Sequence, residues 1–287
     1  MSAFNTLLPT LLLIALALVM LGVGLSLSLD DFLRLRRHPK AVAIALGLQM
    51  LVLPALCWGL IKVFALPPLF AVGLMLLAAS PGGVSANLFS HLFGGNVALN
   101  ISLTAINTVL SVISLPLIAN LALAHFLSGE ASVPLQTAKV IEVVAIVLLP
   151  VAAGMGIART WPALAQRLER PFKILSAVVL GGFAVIAIVK EWQALSESAA
   201  SIGGVILAFN LISLLAGYYL SRALGLAAPM ATAISYEIGI HNSTLAIYIA
   251  LSVLKDFQMA LPAAMYSVSM YIVGALFGLL VLRQAKT

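Results

Sequence analysis

Nine stretches of about 20 or more apolar residues recur along the chain, and each is long enough to cross a hydrocarbon core of roughly 30 Å as a helix. They run approximately over residues 5–28, 41–65, 69–92, 97–124, 137–157, 172–190, 203–221, 227–254 and 259–282. In lipid every backbone N–H and C=O must find a partner inside the segment or in a closed barrel, and stretches of this length suit helices. The expected fold is therefore an all-α polytopic membrane protein with nine transmembrane helices, forming one domain over residues 1–287. Composition agrees: 63% of residues are hydrophobic, 8% are charged, and the mean hydropathy is +1.17. A water-soluble domain would not tolerate that surface.

The net charge of +6 would suit a nucleic-acid partner only if the basic residues formed a patch on a soluble surface. Instead they mark topology, with no nucleic acid implied. Arg34, Arg36, Arg37 and Lys40 follow the first stretch, Arg159, Arg167, Arg170 and Lys173 the fifth, and Arg222 the seventh, while Arg283 and Lys286 end the chain. All of these fall on one side of a nine-span bundle, against Lys62, Lys139, Lys190 and Lys255 on the other. The positive-inside rule then puts the N-terminus outside and the C-terminus in the cytoplasm, in a cell inner (plasma) membrane. The first stretch lacks a basic n-region and a small-residue cleavage site, so it reads as a retained span. A single cysteine, Cys57, excludes an internal disulfide and a multi-cysteine metal centre.

Two stretches break their own helical pattern near mid-membrane. The third contains SPGGVSANLF, where Pro81 removes a donor and Gly82 and Gly83 weaken the helix; the eighth contains EIGIHNST. Each is the third span of a four-span unit, and the fifth span, linking the units, makes the second run opposite to the first. The expectation is an inverted-topology repeat, helices 1–4 (residues 5–124) and 6–9 (residues 172–282), linked by a helix over 137–157. Matched, interrupted polar spans in two inverted halves point to a midplane binding site of a secondary transporter. Gly274 and Gly278 form a small-xxx-small pair read as packing.

Only one acidic residue, Glu237, lies deep in a span. A central carboxylate costs on the order of 2.5–3.5 kcal/mol on insertion scales, so it needs a partner and marks function. With no lysine or arginine at that depth, Glu237 is either protonated or neutralised by a bound cation. Oxygen-bearing neighbours favour the cation. Asn100, Thr104, Asn107 or Thr108, and Ser111 recur at helical spacing along one face of the fourth span, while Asn87 and Gln49 add amide oxygens. Hard monovalent cations are held by such oxygens, and no transition metal is implied. His241 could hydrogen-bond, bind the cation when neutral, or carry a proton.

The stretches SPGGVSANLFSHLFGGNVALNISLTAINT and EIGIHNSTLA resemble the two signature regions of the bile acid:sodium symporter family, and the likeness covers nearly the whole chain. The resemblance implies a panel domain, a core domain in which two broken helices (3 and 8) cross, and sodium-driven uptake of an organic anion. Carried over by position, one sodium site would use Asn87, Asn100, Thr104 and Glu237, with Ala86 at a place usually held by serine. The second would use Gln49, Glu237, the carbonyls of Ile238 and Ile240, and His241, which replaces the family's usual glutamine. Substrate contacts would come from Val84, Ser85, Asn242 and Ser243 and from Met270 and Tyr271 of the last span.

The function expected is sodium-coupled symport of an organic anion by alternating access, without a catalytic role and with no cofactor beyond the coupling ion. The cargo is bile acid-like or, preferentially, a small carboxylate such as pantoate or a 2-oxo acid. Two rivals stand beside it: proton coupling through Glu237 and His241, and an intramembrane serine hydrolase built on Ser85 and His241.

Overall fold

The computed structural model describes residues 2–127, 137–190, 192–197 and 199–284. Its helices, in chain order, are α1 (Ser2–Leu25), α2 (Leu29–Arg34), α3 (Pro39–Gly47), α4 (Leu53–Val63), α5 (Pro68–Ala79), α6 (Val84–Leu92), α7 (Val97–Phe126), α8 (Thr137–Thr160), α9 (Pro162–Lys190), α10 (Trp192–Glu197), α11 (Ala199–Ala223), α12 (Ala228–Gly239), α13 (Ser243–Tyr248) and α14 (Leu261–Gln284). Among the described residues, five helices are long and apolar enough to cross a membrane, or six if α1 and the helical turns after it count as one span bent by 65°.

The local chemistry of each irregularity is readable. The bend after α1 begins at Ser28, whose extended backbone restarts the chain. Its N–H and hydroxyl both donate to the Asp31 carboxylate at 2.7 Å, and Arg34 pairs with the same group at 2.9 Å. The segment LDDFLRLRR, expected as a loop, is thus helical: a short α2 and a 3-10 turn over Leu35–Arg37. Leu29 and Leu33 are exposed on it, which suits a helix lying at the membrane surface. Between α3 and α4, Pro54 cannot donate an N–H, and the chain widens into a π turn over Leu48–Val52. Gln49 sits in that turn, buried.

One connection differs from the sequence expectation. The link expected over 158–171 shrinks to Trp161, because Pro162 is preorganised for a helix start and α9 runs on through Pro171. The connection near 125–136 lies largely outside the described residues, as does Lys286.

Helices α1, α8 and α9 pack together, and α5, α7, α11, α12 and α14 form a second packed set with α6 against α12 and α7. Gly274 and Gly278 let α14 approach closely: a Cβ at Gly278 would overlap Phe93 and the Tyr236 hydroxyl, and that hydroxyl donates to the Gly274 carbonyl at 3.1 Å.

Candidate functional site

The site is built where two helices stop. Helix α5 ends because the residue before a proline is pushed out of the helical region, and Ser80 adopts φ −72°, ψ 144°. The break Ser80–Gly83 then restarts as α6, while α12 stops at Gly239 and restarts at Ser243 under Asn242, whose side chain accepts from Leu245 N–H at 3.2 Å. Each break supplies what the other lacks. Gly83 N–H donates to the Ile240 carbonyl at 2.7 Å, and Asn242 N–H donates to the Pro81 carbonyl at 2.8 Å. A two-residue antiparallel bridge, Gly82 against His241, joins the helices where they cross. Broken backbone is tolerated at membrane depth only when paired in this way or facing a polar cavity.

Glu237 lies at the crossing and is 0% exposed. Thr104 Oγ1 donates to its Oε2 at 2.6 Å, and Asn107 Nδ2 donates to its Oε1 at 2.8 Å. The Gly82 backbone also lies against the carboxyl. A Cβ at Gly82 would collide with the carboxyl itself, so the glycine is what lets Glu237 reach the bridge. Both donors are neutral. The Arg34–Asp31 ion pair lies on α2, outside the crossing.

Four buried amide oxygens on the elements that meet here lack hydrogen-bond partners: Gln49 Oε1, Asn87 Oδ1, Asn100 Oδ1 and Asn107 Oδ1. An orphaned buried acceptor costs free energy, about 1–3 kcal/mol, that a ligand can recover. These donors are hard, neutral oxygens beside one carboxylate, a set that fits a hard monovalent cation better than a soft metal. Among the described residues no group of three or more His, Cys, Asp or Glu is placed to hold a metal ion.

The residues expected to hold cations are distributed as follows. Thr104 touches Glu237 directly, whereas Asn100 gives its Nδ2 to the Ala233 carbonyl at 2.6 Å. Gln49 donates to the Ser80 carbonyl at 3.0 Å, and the His241 Nδ1 lies 3.2 Å from that same oxygen. Because a carbonyl can only accept, Nδ1 carries the proton and Nε2 keeps its lone pair, buried and without a partner. Phe209 stacks on the imidazole, with ring centroids 5.6 Å apart. Of the two carbonyls, Ile240 is engaged by Gly83 N–H, while Ile238 loses its helical partner because Asn242 N–H goes to Pro81. Asn107 is the residue that sequence reasoning placed only on the polar stripe. Its position one turn beyond Thr104 was the available signal.

A cavity of about 680 Å³ opens on the other side of the crossing, between it, α1, α9 and α14. Val84, Ser85, Asn242, Ser243, Met270 and Tyr271, the expected substrate contacts, all line it, together with Leu18, Val19 and Phe172. Thr244 and Ser267 also line it, unnoticed in the sequence although Ser267 lies one turn from Met270 and Tyr271. Among the described residues no lysine, arginine or carboxylate lines this space. Helix α6 begins at its wall without a side-chain cap, so its first N–H groups and dipole are available to an anion. Ser85 and Tyr271 hydroxyls are 3.0 Å apart. Ser85 is therefore bonded to Tyr271 and His241 to Ser80, and the nucleophile–base pair of a serine hydrolase is not formed.

Residues 13–198 match the Sodium Bile acid symporter family. Over 96% of its length the chain is 30% identical to the probable sodium/metabolite cotransporter BASS1, chloroplastic, of Arabidopsis thaliana, covering 67% of that protein. It is 27% identical to the uncharacterized sodium-dependent transporter YocS of Bacillus subtilis, over 83% of this chain and 73% of that one. The P3 protein of Homo sapiens is 31% identical over 74% of this chain, which spans 44% of it.

Proposed function

The chain belongs to the sodium bile acid symporter family, and we propose that it carries an organic anion across the membrane by sodium-coupled symport with alternating access. It is a multi-pass membrane transporter and not an enzyme. The observation that carries the sodium reading is the buried Glu237 carboxylate, held by neutral donors, one of which, Asn107, keeps an unpartnered amide oxygen. Sodium would be held by Glu237, Thr104, Asn87 and Asn100 at one place, and by Gln49, Glu237, His241 and the Ile238 carbonyl at another. The Ile240 carbonyl is the weaker member of that set, since Gly83 already uses it.

On this reading the chain would form nine spans in one domain. The broken pairs α5–α6 and α12–α13 and the helix α9 would add three spans to the five identified by length and apolarity and the sixth made by the bent pair after α1. The first repeat would hold α1 to α7, α8 would link, and the second would hold α9 to α14. Helices α1, α8 and α9 would be the panel and the rest the core, with the cavity at their boundary. Basic residues favour the N-terminus outside a plasma membrane and the C-terminus in the cytoplasm.

The cavity size bears on the cargo. A volume of about 680 Å³ lies in the range of sites for drug-sized ligands and is larger than a 2-oxo acid or pantoate would fill. It favours an anion whose carboxylate meets the α6 terminus and whose apolar body lies against Leu18, Val19 and Phe172. A bile acid-like or other amphipathic carboxylate therefore ranks above the small carboxylates. Uptake of labelled anions of both sizes into proteoliposomes, with and without an inward sodium gradient, tests the proposal. Equal uptake in the two conditions would remove sodium coupling. Uptake driven instead by an acid exterior would favour the proton reading, for which His241 Nε2, buried and unpartnered, is the motivating feature.

A further inference from the structure

The polar stripe of α7 does not act as one surface. Thr108 bonds back to the Thr104 carbonyl at 2.7 Å and Ser111 to the Thr108 carbonyl at 2.8 Å, so both hydroxyls are spent on their own helix. Asn100 reaches the backbone of α12 at Ala233. Thr104 and Asn107 alone in the stripe extend to the Glu237 carboxylate.

Asn107 is 0% exposed. Its amide gives Nδ2 to Glu237 Oε1, and its Oδ1, on the same carbon, has no partner. Two acceptors, the amide oxygen and the carboxylate, are thus held near each other in a place closed off from the protein surface. Mutual repulsion and lost solvation make that arrangement unfavourable unless positive charge stands near both. Reversing the amide would not relieve it, because the oxygen would then face an ionised carboxylate directly. On the reading of Glu237 as a cation site, we propose that Asn107 is a further sodium ligand through Oδ1, and that its N–H simultaneously positions the carboxylate. Helix α7 then offers the ion oxygens from successive turns of one face.

Sodium-dependent thermal stabilisation of the purified protein, with choline replacing sodium at constant ionic strength, tests this without relying on transport. Asn107→Ala should raise the sodium concentration for half-maximal stabilisation about tenfold or more, the scale seen when groups supporting a metal site are removed. Asn107→Asp keeps an oxygen at that place and loses the donor. It should retain a sodium response that weakens at acid pH, where the added carboxyl binds a proton instead. An unchanged sodium midpoint in Asn107→Ala, or an Asn107→Asp protein as unresponsive as Asn107→Ala, overturns the assignment and leaves a helix contact. A wild-type protein that sodium stabilises no more than choline does overturns the cation site itself, and Glu237→Gln would then match the wild type. Should Asn107→Ala fail to fold, the Asn107→Asp titration decides alone.

Discussion

Replacing Gly82 with alanine concentrates the whole site in one methyl group. The added Cβ would overlap the Glu237 Cδ and both carboxyl oxygens. The glycine is tied into the crossing by its bridge to His241, so the carboxyl, at the end of a side chain, is what must withdraw. Withdrawal draws the oxygens away from Thr104, now at 2.6 Å, and Asn107, now at 2.8 Å. Hydrogen bonds to charged groups contribute about 1.5–3 kcal/mol each. Loss of even one should therefore destabilise the protein by about that amount, and since about 1.4 kcal/mol is tenfold, sodium affinity should fall at least about tenfold. The assay is thermal unfolding in a sodium titration, backed by sodium-driven uptake. Gly47→Ala is the control: a Cβ there meets nothing within 4 Å, and alanine inside a helix should stabilise by about 0.5–1 kcal/mol. A Gly82→Ala protein with the wild-type melting temperature and sodium midpoint would refute the placement of the carboxyl at the bridge.

Thr104→Val removes the 2.6 Å hydroxyl donor at nearly constant shape, and should weaken sodium affinity about tenfold by the same arithmetic, whereas Thr104→Ser should stay close to wild type in the same titration. His241→Gln keeps an N–H for the Ser80 carbonyl and adds an oxygen where Nε2 now lacks a partner; the Hill coefficient for sodium in uptake should stay unchanged, because the imidazole already serves the ion, and a rise would refute that role. Tyr271→Phe frees Ser85 from its 3.0 Å partner and should change KM for the anion several-fold while leaving the sodium midpoint of stabilisation in place, since neither hydroxyl touches Glu237.

Both breaks were legible because Pro81 and the glycines around the breaks have few uses in a membrane helix, and Glu237 stood out as the only deep carboxylate. What could not be read was contact across the molecule. Thr104, Asn107 and Thr108 look alike on a helical wheel, yet Thr108 turns back on its own helix while the other two cross to α12. That choice depends on how α7 is rotated against α12, which a one-dimensional pattern does not contain. The π turn at Gln49 posed a similar problem: Pro54 announces an irregularity but not the direction in which it aims the amide. Residues 158–171 were mistaken for a connection because basic side chains mask a helix that Pro162 begins.

The exchange between Pro81–Gly83 and Ile240–Asn242 also governs the order in which this protein can be made. During synthesis the first break enters the bilayer with most of the chain still on the ribosome, so its Pro81 carbonyl and Gly83 N–H must wait for partners that arrive almost last. Lipid cannot serve as the stand-in, since hydrocarbon offers no hydrogen bond. The first half is therefore expected to keep these groups hydrated, or paired elsewhere, until the second break packs against it. Defects in residues 240–242 should consequently register early, as clearance of newly inserted chains, and not only as weaker transport by those that mature.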